Sequence, residues 1–351
     1  MARSYYLDLA RSGRALPMAT DLVLNEEPDP EAARRDGLRL GQVIERNARR
    51  WGTTLALPLM DLRLEKADML ARLGIGEEEA DRYHFTAALD RETRERLGRG
   101  EAVCRPGSEA RDAALRYIAG STELLPVGMV IGPFSLATKL MADPITAVAL
   151  LGSGVPVEAD SQVKLLVDCL EVAEQAVLSS VRRQLEQGAR AVMVCEPAAS
   201  TAFLSPRQIK AGSPIFERLV LEPNARLNDI LRKANADLIF HNCGDLSREM
   251  VRAFASRLEP AIMSLGSSRK LWEDAALVPD SVVLYGNLPS KSFYSDAAMP
   301  LEEVGRLSSS LVRAMRACGH AHILGTECDV LHVPGAGETI WRKVEAMAKV
   351  Q

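Results

Sequence analysis

Residues 236–245 read ADLIFHNCGD. A short apolar run, Ala236–His241, stops at a cluster of polar residues and a cysteine, and the next segment, Leu246–Leu258, brings apolar residues back at helical spacing. Six apolar residues or so, bounded this way, make a strand buried on both faces of a parallel sheet, and the segment that follows makes the covering helix. The same unit recurs on both sides. The other runs are Thr54–Asp61 (TLALPLMD), Val127–Phe134 (VGMVIGPF), Ala191–Pro197 (AVMVCEP), Ala261–Gly266 (AIMSLG), Ser281–Asn287 (SVVLYGN) and Ala321–Thr326 (AHILGT). Between them, Asp160–Gly188 sets Val163, Leu166, Val167, Leu170, Ala173, Val177 and Val181 at three- and four-residue spacing, with Gly188 as a natural stop. Leu301–Gly319 repeats the pattern before the last run, and Asp29–Trp51 reads as one long Arg- and Glu-rich helix.

Seven such runs alternating with helices predict a single α/β domain, either a (β/α)8 TIM barrel or a doubly wound sheet. The eighth strand of a barrel falls to Arg14–Leu24 (RALPMATDLVL), the remainder of residues 1–24 forming an N-terminal extension across one end. Residues 74–108 are charged and poor in apolar periodicity, and are expected to form a helical excursion capping the barrel mouth.

Composition removes several classes of function. In 351 residues, 43 Lys and Arg stand against 47 Asp and Glu, a net charge of −4 that gives no electrostatic case for nucleic acid or an anionic membrane surface. No apolar run has the length of a spanning helix, and the first residues lack the apolar core of a secretory signal, so a cytoplasmic protein is expected. Six cysteines, none in a CxxC pair, suit a reducing compartment with free or metal-bound thiols.

In a barrel, chemistry sits where the strands end. Those ends carry Asp61, Gly132-Pro133, Cys195-Glu196, His241-Asn242-Cys243, Asn287 and Thr326-Glu327-Cys328-Asp329. On an extended strand end, residues two apart point the same way, so His241 and Cys243 can grip one ion. Cys328 follows 85 residues later, at the end of the last run. An imidazole and two thiolates form a soft set suited to zinc, with a fourth position open to a carboxylate, water or substrate. The competing reading is that these cysteines are ordinary buried apolar residues. Glu196 is a candidate base or displaceable zinc ligand, set against a salt-bridged rim carboxylate. Cys195 points opposite to Glu196 and belongs to the core. Cys104, Cys169 and Cys318 are expected to be structural, and His320 and His322 to lie at the opposite end of the strands. Arg91–Arg105 is expected to be a solvated face.

Phe240–Asp245 (FHNCGD) together with Ile323–Cys328 (ILGTEC) resembles the H-x-C-x(n)-C zinc motif of the corrinoid-dependent methyltransferases in the uroporphyrinogen decarboxylase superfamily, the methylcobamide:coenzyme M methyltransferases among them. Met60–Gly74, Val127–Ala137, Met193–Ser200 and the closing Pro334–Gly337 (PGAG) are similar to that superfamily as well, so the resemblance spans about Arg14 to Met347. It implies a (β/α)8 barrel, zinc on His241, Cys243 and Cys328, and a methyl group moved between a corrinoid on a separate protein and a small thiol such as coenzyme M or homocysteine. Asp61 resembles the acidic residue of the S-D-I segment in the decarboxylase branch and would receive a substrate ammonium or hydroxyl, against a plain helix-capping role. The strand after H-x-C carries an acidic zinc ligand in some members. Here that strand, AIMSLGSS, has none, which leaves Glu196, Glu327, water or substrate as the fourth ligand. Gly13–Pro17 (GRALP) matches only one arginine of the decarboxylase N-terminal motif, at Arg14, and Thr326 stands where the decarboxylase has a histidine. Tetrapyrrole decarboxylation is therefore the competitor. Further alternatives are a zinc thiol transferase acting on an epoxide-like electrophile, methyl transfer toward the corrinoid, and a zinc-containing barrel that only binds.

Overall fold

A computed structural model describes residues 3–98 and 103–350. The remaining residues of the expected extension and excursion (1, 2 and 99–102), and residue 351, lie outside the described residues. All seven apolar runs form strands: β1 (Leu55–Ala56), β2 (Leu125–Ile131), β3 (Ala191–Cys195), β4 (Asp237–Asn242), β5 (Ile262–Leu265), β6 (Val283–Leu288) and β7 (His322–Thr326). They pair in chain order in one wholly parallel sheet. The burial is continuous along β2 and β3, as expected of strands covered on both faces.

The sheet curls. One small cavity is lined by Leu55 of β1, Met193, Ile239 and Ile262 of β3 to β5, and Tyr285 of β6. In a flat sheet β1 and β6 would stand about 24 Å apart. Inward residues of all seven strands share one cluster with Leu16 and Met18, while outward residues such as Phe240 and Val194 pack under the helices. No eighth strand closes the sheet among the described residues. Arg14–Ala19 is an extended segment laid in the seam, where Leu16 N–H donates to Leu324 O at 2.8 Å and Met18 N–H to the Thr326 hydroxyl at 3.2 Å. Pro17 supplies no N–H between them, and the chain turns into a short helix at Thr20–Leu24, so a ladder never forms. The full (β/α)8 expectation is thereby reduced to a seven-stranded curled sheet with a non-strand segment in its seam.

The helices follow the apolar periods with two corrections. Ser161–Glu186 is capped by the Asp160 carboxylate on Gln162 and Val163 N–H, and Gly188 follows it at φ +97°, where a side chain would be strained. The expected single helix over Asp29–Trp51 is two, Pro30–Arg35 and Gly37–Arg50, because Asp36 leaves the helix and caps the second one through Leu38 and Arg39 N–H. The charged excursion contains helices Glu77–Ala80 and Arg91–Gly98. It packs outward onto Ser161–Glu186, where Asp168 accepts from Leu89 N–H and pairs with Arg94. His320 and His322 do lie at the N-terminal end of β7, with their Nε2 atoms on Val282 O and Gly286 O. No helix among the described residues is long and apolar enough to cross a membrane.

Two tests follow from this packing. Arg111 is buried and bonds Glu65 at 2.8 Å and Asp112 at 3.0 Å, and Asp112 in turn accepts from Arg183 at 2.6 Å, joining three helices. Arg111→Met takes the cation from buried Glu65 and leaves Asp112 to Arg183 alone, and should cost about 3–5 kcal/mol in denaturant unfolding; a loss under 1 kcal/mol would mean the network is not stabilising. Burial pulls the His322 imidazole down to about 4. Its folded value lies below the unfolded one, so the unfolded chain takes up the proton first and stability falls as pH drops from about 6.5 toward 4. Between pH 7.5 and 5 the protein should lose about 1–2 kcal/mol more than His322→Gln does. Equal losses would count against a depressed imidazole.

Candidate metal centre

The site begins with strand register. Cys195, His241 and Ser264 are partners across β3, β4 and β5, so their side chains point the same way. That way is inward, because Met193, Ile239 and Ile262, two residues earlier on each strand, belong to the inner cluster. His241 is buried, and its Nδ1 meets the Ser264 hydroxyl at 2.9 Å. Its Nε2 is shielded from solvent and has no hydrogen-bond partner. Two residues on, Cys243 turns to the same side, and the chain end of β7 delivers Cys328. One ligand atom from each of His241, Cys243 and Cys328 lies within 4.8 Å of the other two, a grouping able to hold a metal ion. Cys328 Sγ also rests on the Met60 sulfur at 3.9 Å.

The two thiols are coupled. The hydrogen bond from Cys328 pulls the Cys243 thiol well below its ordinary value, with His241 and the Lys291 ammonium helping against burial. The same bond, with burial, pushes Cys328 up. Two sulfurs and an unpartnered imidazole nitrogen converge, which is the donor chemistry of a soft divalent cation.

The carboxylates expected at this rim are placed elsewhere. Glu196 follows inward-facing Cys195 and so faces outward. It accepts from Ser135 N–H at 2.6 Å and Asn224 Nδ2 at 2.9 Å, and a Cβ on Gly132 would stand 2.1 Å from its carboxylate. Burial pushes its carboxyl up, opposed by those bonds. It is a buried tie between β3 and the helix Pro133–Lys139, not a member of the site, and the expectation of a base or zinc ligand at Glu196 is corrected. Glu327 accepts from the Ser267 hydroxyl at 2.6 Å and its N–H at 3.2 Å. Asp61 sits one residue beyond Met60, beside the site and outside the ligand group. Burial raises its carboxyl, but Arg63 at 2.7 Å and Arg34 at 3.7 Å outweigh that and hold it below the ordinary carboxylate range. It accepts Arg63 N–H at 3.1 Å just ahead of the helix Leu64–Ala71, close to the capping role. Cys195 and Cys169 are buried in the core as expected.

Three contributors were not singled out as site residues by the sequence. Ser264 was detectable as the β5 residue opposite His241, in the same strand where an acidic ligand is missing. Met60 opens a stretch similar to the superfamily, but nothing in it marks a contact with Cys328, and Lys291 carries no sequence signal, since what brings both near the sulfurs is the path of loops. Lys291 sits on the turn Ser290–Ser292, whose Ser290 hydroxyl donates to Cys328 O at 3.4 Å.

Comparison with known proteins agrees with this architecture. A methyltransferase from Methanosarcina mazei superposes with a TM-score of 0.64 over 95% of this chain and 93% of that one, at 15% sequence identity, a likeness of fold. No curated protein sequence matches the chain. The family model for uroporphyrinogen decarboxylase (URO-D) matches residues 113–347, more than half of the chain and all of β3 to β7. The chain therefore belongs to the uroporphyrinogen decarboxylase family.

Proposed function

We propose that this protein is a zinc-dependent methyltransferase, moving a methyl group between a corrinoid carried by a separate protein and a small thiol. The observation that carries this reading is the buried, unpartnered Nε2 of His241 converging with the sulfurs of Cys243 and Cys328. A buried polar atom without a partner is costly, and an ion in this position removes that cost. The fold shared with a methyltransferase supports the same reading. Decarboxylation of a tetrapyrrole is disfavoured. Arg14, the one arginine matching the decarboxylase motif, bonds Gly52 O near the N-terminal ends of the strands, away from the metal centre. Thr326 is buried and occupied by Met18 N–H.

Zinc on His241, Cys243 and Cys328 would supply a Lewis acid that holds a small thiol in its deprotonated, nucleophilic form at neutral pH. Two protein thiolates would temper that acidity. The chain's own residues do the rest. Ser264 fixes the imidazole through Nδ1, leaving Nε2 as the nitrogen available to the ion. Asn242, facing outward, donates to Glu196 O at 2.7 Å and Ala199 O at 3.0 Å and accepts Gly244 N–H, so the backbone on either side of Cys243 is held. The Met60 thioether lies against the Cys328 sulfur at 3.9 Å and gives it an apolar neighbour. Because Glu196 and Glu327 are both engaged elsewhere, the acceptor or water takes the fourth position.

The purified protein should contain about one zinc per chain. Cys243→Ala and Cys328→Ala should each lose most of it and Cys169→Ala should not, while Ser264→Ala should weaken zinc affinity roughly 10–100-fold. Full retention in both site variants would end the metal assignment. With methylcob(III)alamin and the right thiol, the cob(I)alamin spectrum should appear. Thiol binding should release close to one proton below a pKa of about 8.5 and less above it, since a free thiol there is already ionised. A thiol that turns over without proton release and without altering the zinc X-ray absorption edge would overturn the thiol-activating role.

A further inference from the structure

β1 holds β2 for only two residues, Leu55 on Leu125 and Ala56 on Pro126. Pro58 then carries the chain off the sheet, so Val127 has no β1 partner. The gap opens into a cavity of about 130 Å³ between the strand edge and the helices Gly37–Arg50 and Pro106–Ser121. None of the three metal-site residues lines it. Its floor is apolar, formed by Leu40, Ile44, Leu115 and Ile118, and it has room for a short apolar chain.

The charge around it is unevenly satisfied. Four arginines and three acids line the cavity. Arg63 is spent on both oxygens of Asp61, at 2.9 and 2.7 Å, and Arg111 on Glu65 and Asp112. Arg34 is not spent. Its Nη2 reaches Asp21 only at 3.4 Å, its Nη1 stands 3.7 Å from Asp61, and its Nε is shielded from solvent with no hydrogen bond, 3.6 Å from Glu31. Arg35 is 3.9 Å from its nearest acid, Glu77. Two guanidinium forks with unfilled donors thus sit beside an apolar floor. A dianion would meet the three acids. A guanidinium fork matches a carboxylate bidentately.

We propose that this cavity is a second binding site, for a singly charged carboxylate with an apolar body, the head on Arg34 and Arg35 and the body on the Leu40–Ile118 floor. The assignment does not depend on what the metal centre does. Hexanoate is a suitable probe, titrated into the full chain by calorimetry, with hexanol as the uncharged control. Hexanoate should bind once per chain, and hexanol at least several-fold more weakly. Arg34→Gln should weaken hexanoate roughly tenfold and leave hexanol unchanged. Arg35→Gln, on an exposed side chain that the fold does not need, should act in the same direction. Cys243→Ala should bind hexanoate as the parent does. Absence of saturable binding, equal binding of acid and alcohol, or indifference to both arginine substitutions would overturn the proposal. Loss of binding in Cys243→Ala would also overturn it, by placing the ligand at the metal centre.

Discussion

The hydrogen bond between Ser264 and His241 governs the character of the candidate metal centre. An imidazole has two nitrogens, and only one can face the sulfurs. The β4–β5 register puts a hydroxyl against Nδ1, so the other nitrogen is left pointing at Cys243 and Cys328 with nothing else to bind. Every element of the site depends on that register. A slip of one residue would send His241 outward with Phe240's neighbours and bring Phe240 to the sulfurs. The buried face of the helix Arg248–Leu258 helps hold the register, because its Phe254 packs against Phe240 with ring centroids 4.6 Å apart.

The inward–outward alternation also explains why the acidic residues divide as they do. Cys195 and Glu196 are adjacent, so one must face the core and the other the helices. Glu196 faces the helices and finds two polar partners there, Ser135 N–H and Asn224, in the space left by Gly132. A carboxylate placed this way fixes the angle between β3 and the helix Pro133–Lys139. The metal centre is thereby left with neutral or singly charged donors, and its net charge depends on two sulfurs rather than on carboxylates.

Much of this was legible in the sequence. Parallel strands buried on both faces announce themselves as apolar runs, and all seven were found within a few residues, since the signal needs only local composition. The H-x-C pair was legible because a two-residue spacing has one geometric meaning on a strand. Cys328 was legible only through its position at another strand end. What escaped depends on contacts between distant segments. Arg14–Leu24 has a strand's composition, but Pro17 and the helix at Thr20 prevent a ladder. Asp29–Trp51 has a helix's period, but Asp36 competes for the N–H groups of the next turn and splits it. Glu196 was misassigned because a residue at a strand end gives no sign of which partners wait on the far side.

The seam segment has a consequence for how the chain is made. Met18 meets Thr326 across 308 residues, and Leu16 meets Leu324 across the same interval. During synthesis at about 5–20 residues per second, the start of the chain therefore waits roughly 15–60 s for its partner to be translated. Throughout that interval Leu16 and Met18, both buried in the finished protein, have no seam to enter. The sheet can assemble strand by strand as it emerges, but its inner core stays open along one edge until β7 arrives. The last strand made thus decides when Leu16 and Met18 become protected, and until it emerges these apolar residues have no native surface to cover them.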